Sequence, residues 1–174
     1  HLDLLTDQKR HYEGALRMLS KLPDEPAFRH VHIDILLKQV ELGLVNDPTE
    51  PQLQRLDKAV KLVDSLYEPQ NPAREGRLLY AMIELRRGRV LHYGSRYVEA
   101  LECFSRVLPV AEALSDFELT LMARLNSVTA LTMQGAFPEA HETIEEVLQP
   151  LEARAEQAEW TRWLGYRAIV LAAL

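Results

Sequence analysis

Gln134-Gly135-Ala136-Phe137-Pro138-Glu139-Ala140-His141-Glu142-Thr143-Ile144-Glu145-Glu146-Val147-Leu148 decides the fold, because its pattern returns three more times along the chain. A large apolar residue stands three positions before an alanine, and further apolar residues follow at helical spacing. The pairs are Tyr12/Ala15, Leu56/Ala59, Tyr97/Ala100 and Phe137/Ala140, so the alanines step by 44, 41 and 40 residues. Residues three apart share one face of a helix. Self-similarity at a fixed period of this size is the mark of a repeat architecture.

Outward from that stretch, amphipathic segments alternate in two types. Segments carrying the Tyr/Ala-like pair are predicted near 6–22, 51–67, 96–114 and 137–157, and a first type near 26–44, 72–93, 116–134 and 159–174. Thr6 suits an N-cap for the opening segment, and Pro26 suits the first turn of the next. The cluster Asn46-Asp47-Pro48-Thr49-Glu50-Pro51 breaks the chain. Asn71-Pro72 reads as N-cap and first helical residue, and Ser115 with Glu118 has capping-box spacing. Pro109 is expected to kink a long helix rather than end it, since Val110-Ala111-Glu112-Ala113-Leu114 still reads helical. The apolar stripe Ala81, Met82, Leu85, Gly88, Leu91 reappears forty residues on as Leu121, Met122, Leu125, Val128, Leu131.

Composition narrows the function classes. With 47% hydrophobic residues the chain can bury a core, and the dominance of Leu and Ala with few Gly and Pro points to an all-α fold. The net charge of −6 argues against docking on nucleic acid, whose phosphates require a basic face. One cysteine, Cys103, excludes an internal disulfide framework and fits a reducing compartment. No apolar run approaches the roughly 20 residues of a membrane span. These features predict a cytoplasmic protein with no membrane segment. The sequence opens and closes inside the repeat pattern, so residues 1–174 are expected to be a single repeat domain cut from a longer protein.

Gly135, Phe137 and Ala140 followed by Ile144 and Val147, and Tyr97 and Ala100 followed by Phe104 and Val107, resemble the signature of the tetratricopeptide family. There a glycine at the inter-helix turn precedes an aromatic, an alanine and a large apolar residue. The resemblance implies a right-handed α-solenoid of about eight helices, in which each helix pair covers its neighbour and the first-type helices line a concave groove. The period here departs from the family's roughly 34 residues. Such elongated repeats are similar to those in the sensor regions of LuxR-type and multidomain signal-transduction ATPase regulators of bacteria.

Candidate chemistry is sparse. No zinc-protease motif, paired cysteines or glycine-rich phosphate loop occurs, so no enzymatic activity, cofactor or metal is expected. His30 and His32 stand two apart and point to different sides of a helix. Cys103, beside Phe104, reads as a buried structural thiol. Glu139, Glu142, Glu145 and Glu146 read as a solvated face. One basic cluster invites a binding role: Arg86, Arg87, Arg89 and His92, with Arg124 and Asn126 one repeat on and Arg162, Tyr166 and Arg167 beyond. Arginine donates two parallel hydrogen bonds to a carboxylate.

The candidate ligand-binding residues are Arg86, Arg89, Asn126 and Arg162. Asn126 and Arg162 match two positions of the carboxylate clamp that the family's co-chaperone members use, whereas Leu85, Arg89 and Tyr166 do not match the other three. Plain surface pairing of these arginines with the many glutamates is the competing reading, and the favoured one. Trp160 and Trp163 suit core packing. The last helix exposes a stripe, Leu164, Ile169, Val170 and Leu174, that calls for a further repeat, a partner or self-association.

The expected function is a non-catalytic scaffold for a protein, peptide or small inducer within a bacterial transcriptional or signalling regulator. The alternative is an assembly adaptor or co-chaperone-like module holding acidic peptide tails.

Overall fold

The structure is a computed structural model that describes residues 2–70, 72–153 and 164. The described residues form seven α-helices and no strand: α1 (Leu2–Leu19), α2 (Pro26–Gly43), α3 (Thr49–Asp64), α4 (Arg74–Tyr93), α5 (Tyr97–Leu114), α6 (Phe117–Gln134) and α7 (Phe137–Ala153). Each packs on the next in chain order, and α4 also meets α2 and α6. No described helix is long and apolar enough to cross a membrane.

Three turns share one device. Ser95, Ser115 and Gly135, spaced twenty residues apart, take left-handed backbone with φ of 60°, 54° and 77°. The residue after each donates its N–H five positions back, Arg96 to Leu91, Asp116 to Ala111 and Ala136 to Leu131, all at 2.9 Å. This arrangement satisfies carbonyls that a helix end otherwise orphans. With only two or three residues between helices, α4, α5, α6 and α7 run alternately up and down.

Four boundaries differ from expectation. Ser115 does not cap α6, because it is committed to the left-handed turn that ends α5. Asp116 caps instead, its carboxylate accepting from the Leu119 N–H at 2.9 Å. An aspartate there also complements the positive end of the helix dipole. Pro72 is not the first residue of α4, which starts at Arg74 with Arg77 N–H bonded to Ala73 O at 3.0 Å. Pro72 instead folds back over Gly76, where an added Cβ would meet Pro72 Cβ at 3.0 Å and Tyr67 Cγ at 2.8 Å. Thr6 lies inside α1, whose backbone is helical from Leu2. α3 opens at Thr49, before Pro51, and closes at Asp64. α5 runs through Pro109 to Leu114 as expected. The expected last helix, and the stretch of α7 beyond Ala153, lie outside the described residues apart from Leu164.

The core divides into three clusters that share helices. Ile33, Leu36, Val40, Leu56, Ala59 and Val63 join α2 to α3 and receive Ile83 and Val90 from α4. The opposite side of α4 gives Ala81, Leu85 and Leu91 to a second cluster with Ala100, Cys103, Phe104 and Val107 of α5 and Leu119 and Ala123 of α6. Leu121 and Val128 of α6 then meet Ala140, Ile144 and Val147 of α7 in the third. Helices α4 and α6 are therefore apolar on two faces. The motif alanines Ala59, Ala100 and Ala140 are fully buried, as close helix approach requires.

The tightest contact lies between α4 and α5. Phe104 is the largest fully buried side chain among the described residues, and its ring sits against the backbone of Gly88. A Cβ there would come within 2.4 Å of Phe104 Cε1 and 2.8 Å of Cδ1. Forty residues on, the same two repeat positions carry Val128 and Ile144, both fully buried in one cluster. A glycine with a phenylalanine has given way to two medium residues of similar joint volume, the exchange that close packing tolerates best.

Gly88→Ala is therefore expected to destabilise the fold by about 1–3 kcal/mol despite alanine's better helix propensity. Urea denaturation checks it. Adding Phe104→Leu should recover part of the loss in a double-mutant cycle, and additive losses would show that the two positions are not in contact.

Candidate functional site

The basic residues of α4 part company in the structure. Arg87 Nη2 donates to Asp57 Oδ1 of α3 at 2.7 Å, with Glu84 at 3.5 Å from its Nε. Arg89 Nη1 donates to Glu41 Oε2 of α2 at 2.8 Å, a tie between two first-type helices. Arg124 of α6 pairs with Glu146 of α7. For these three the surface-pairing reading holds.

Arg86 is different. Its Nη1 donates to Met82 O of its own helix at 3.2 Å, and its Nε is buried with no hydrogen-bond partner. Burial pulls its pKa down, Glu41 and Asp34 oppose that shift, and Arg89 adds to it. An arginine stays protonated regardless. The result is a partly desolvated cation with unspent donor capacity, a state that costs free energy until an acceptor arrives.

Arg86 and Arg89 overlook a cleft of about 290 Å³ between α4 and α6. Its α4 wall is Leu78, Met82 and Leu85, which with the two arginines form one helical stripe. Asp116, Glu118, Leu119 and Met122, from the N-cap and first turns of α6, form the other wall. The floor is apolar and the polar groups are few, the usual make-up of a small-ligand site, at the low end of the size range.

Of the residues singled out from sequence, Arg86 and Arg89 come together here. Asn126 does not line the cleft, and its Nδ2 donates to Met122 O at 2.6 Å within α6. Arg162, Ile169, Val170 and Leu174 lie outside the described residues, as do Trp160, Trp163, Tyr166 and Arg167. Leu164 is half-buried and packs against the α6–α7 cluster. Sequence reasoning missed Leu78, Met82 and Met122 as cleft residues, having placed Met82 and Met122 in the packing stripe. Their equivalence forty residues apart was the available signal.

The remaining reactive groups have structural surroundings. Burial, and then Glu84, push the Cys103 thiol up to about 12, so it is protonated at neutral pH. Among the described residues no group of three His, Cys, Asp or Glu is placed to hold a metal ion. His30 meets Tyr67 edge-on at 6.0 Å. His32 Nε2 and His92 Nδ1 are buried without a partner. His92 packs against the rings of Tyr93 and Tyr97.

Burial holds both His32 and His92 below the ordinary 6.5, with Lys58 adding to the shift of His32. The unfolded chain takes up protons below that value while the folded chain refuses them. Their contribution to stability is thus complete above 6.5 and lost as pH falls through the lower folded values. Thermal unfolding should show a lower midpoint at about pH 5.5 than at about pH 7.5, and His32→Gln with His92→Gln should flatten the difference. An unchanged slope in the double variant would assign the effect elsewhere.

No known protein family matches the chain, and neither does any curated protein or solved structure.

Proposed function

We propose that this chain is a tetratricopeptide-like right-handed α-solenoid serving as a non-catalytic binding scaffold, and that the α4–α6 cleft receives a carboxylate of a peptide partner or small inducer. The packing of α4 on both α2 and α6, with α3 and α5 alternating between them in the chain, supports the solenoid reading. The observation that carries the ligand reading is Arg86, a cleft-lining cation that pairs with no described carboxylate, above an apolar floor. A carboxylate docking in the cleft gains a charge-assisted hydrogen bond from the guanidinium at its wall.

The parent protein is a cytoplasmic bacterial regulator of transcription or signalling in this reading. Elongated helical repeats, an acidic surface unsuited to nucleic acid and a small inducer-sized cleft fit a sensing segment better than a general adaptor.

Titration with N-acetyl-leucyl-alanine, which carries a single carboxylate, in a calorimeter tests the site. Arg86→Gln with Arg89→Gln should weaken binding about 10- to 100-fold, the worth of hydrogen bonds to a charged group. Equal affinity for a variant with native helical content would remove these residues from the site.

A further inference from the structure

The cleft carries opposite charges at its two ends. Because α4 and α5 are antiparallel, as are α5 and α6, the N-termini of α4 and α6 lie at the same end. Asp116 and Glu118 belong to the N-cap and first turn of α6, so they stand at that end. Arg86 and Arg89 stand in the second half of α4, toward the opposite end. The apolar side chains of Leu78, Met82 and Met122 line the cleft between.

The repeat offset places Glu118 level with Leu78, eight residues before Arg86. Eight residues of helix advance roughly 12 Å, the length of three to four residues of extended chain at roughly 3.3–3.6 Å each. One oxygen of Asp116 is committed to the Leu119 N–H, which leaves the other for a ligand. Glu118 is exposed. The positive end of α6 disfavours a cation here, and the Asp116 cap offsets it.

Resting on the carboxylate reading above, we infer that the cleft binds a short, extended, apolar peptide as a dipolar ion. Its free carboxylate lies on Arg86 and its free ammonium on Asp116 and Glu118. A fatty acid would leave the two carboxylates unmatched, and a dicarboxylate would set an anion beside Glu118. The direction of the ligand is thereby fixed, with its amino end at the start of α6.

The tetrapeptide Leu-Ala-Ala-Leu, in free, N-acetylated and C-amidated forms, separates the two ends by calorimetry at low ionic strength. Acetylation and amidation should each weaken binding by about fivefold or more. Glu118→Gln should shrink the acetylation effect and keep the amidation effect, and Arg86→Gln should do the reverse. If the acetylated peptide binds as well as the free one, the dipolar inference is overturned while the carboxylate reading stands. If the amidated peptide binds as well as the free one, the carboxylate reading itself fails. No binding of any form up to about 5 mM, with N-acetyl-leucyl-alanine still bound, would also overturn the inference.

Discussion

Phe104 on Gly88 is the contact on which the arrangement depends. The absent Cβ lets the ring lie on the α4 backbone, and this draws α4 and α5 together at the centre of the chain. α4 then serves two cores at once, with Ile83 and Val90 toward α2 and α3 and Ala81, Leu85 and Leu91 toward α5 and α6. A helix so engaged has little freedom to shift. Its remaining stripe, Leu78, Met82, Arg86 and Arg89, is held facing α6 and forms one wall of the cleft. Rigid presentation matters for binding because a preorganised site spends less of its interaction free energy on ordering.

The electrostatics of that stripe follow from the same packing. Arg89 reaches Glu41 because α2 and α4 touch, and Arg87 reaches Asp57 because α3 lies on the other side. Ion pairs of this kind contribute about 1 kcal/mol each, and they engage only one or two of the five N–H groups of each arginine. Arg86, just before them in sequence, faces neither carboxylate closely enough to pair. One cation out of three is thus left for a ligand, and helical geometry decides which.

Periodicity revealed the helices because each turn is marked locally by a glycine, a proline or a capping residue. The sequence also showed the repeat alanines, whose burial at 59, 100 and 140 follows from the motif alone. What escaped it was non-local or ambiguous. Ile83 and Val90 fall outside the single apolar stripe that the periodicity predicts on α4, because a helix between two neighbours has two. Ser115 and Asp116 both cap well, and only the left-handed turn at Ser115 decides between them. The separation of Arg86 from Arg89 depends on Glu41, 48 residues away from Arg89. Nothing in the local sequence records that contact.

The central claim is that Arg86 is the unspent donor of the cleft. It is tested most directly by nitrogen-15 NMR of the arginine Nε–Hε groups during titration with the free tetrapeptide. The account predicts that the Arg86 resonance moves downfield and slows its exchange with water, while those of Arg87 and Arg124 stay in place. An Arg86 resonance that does not move while the peptide binds would contradict it.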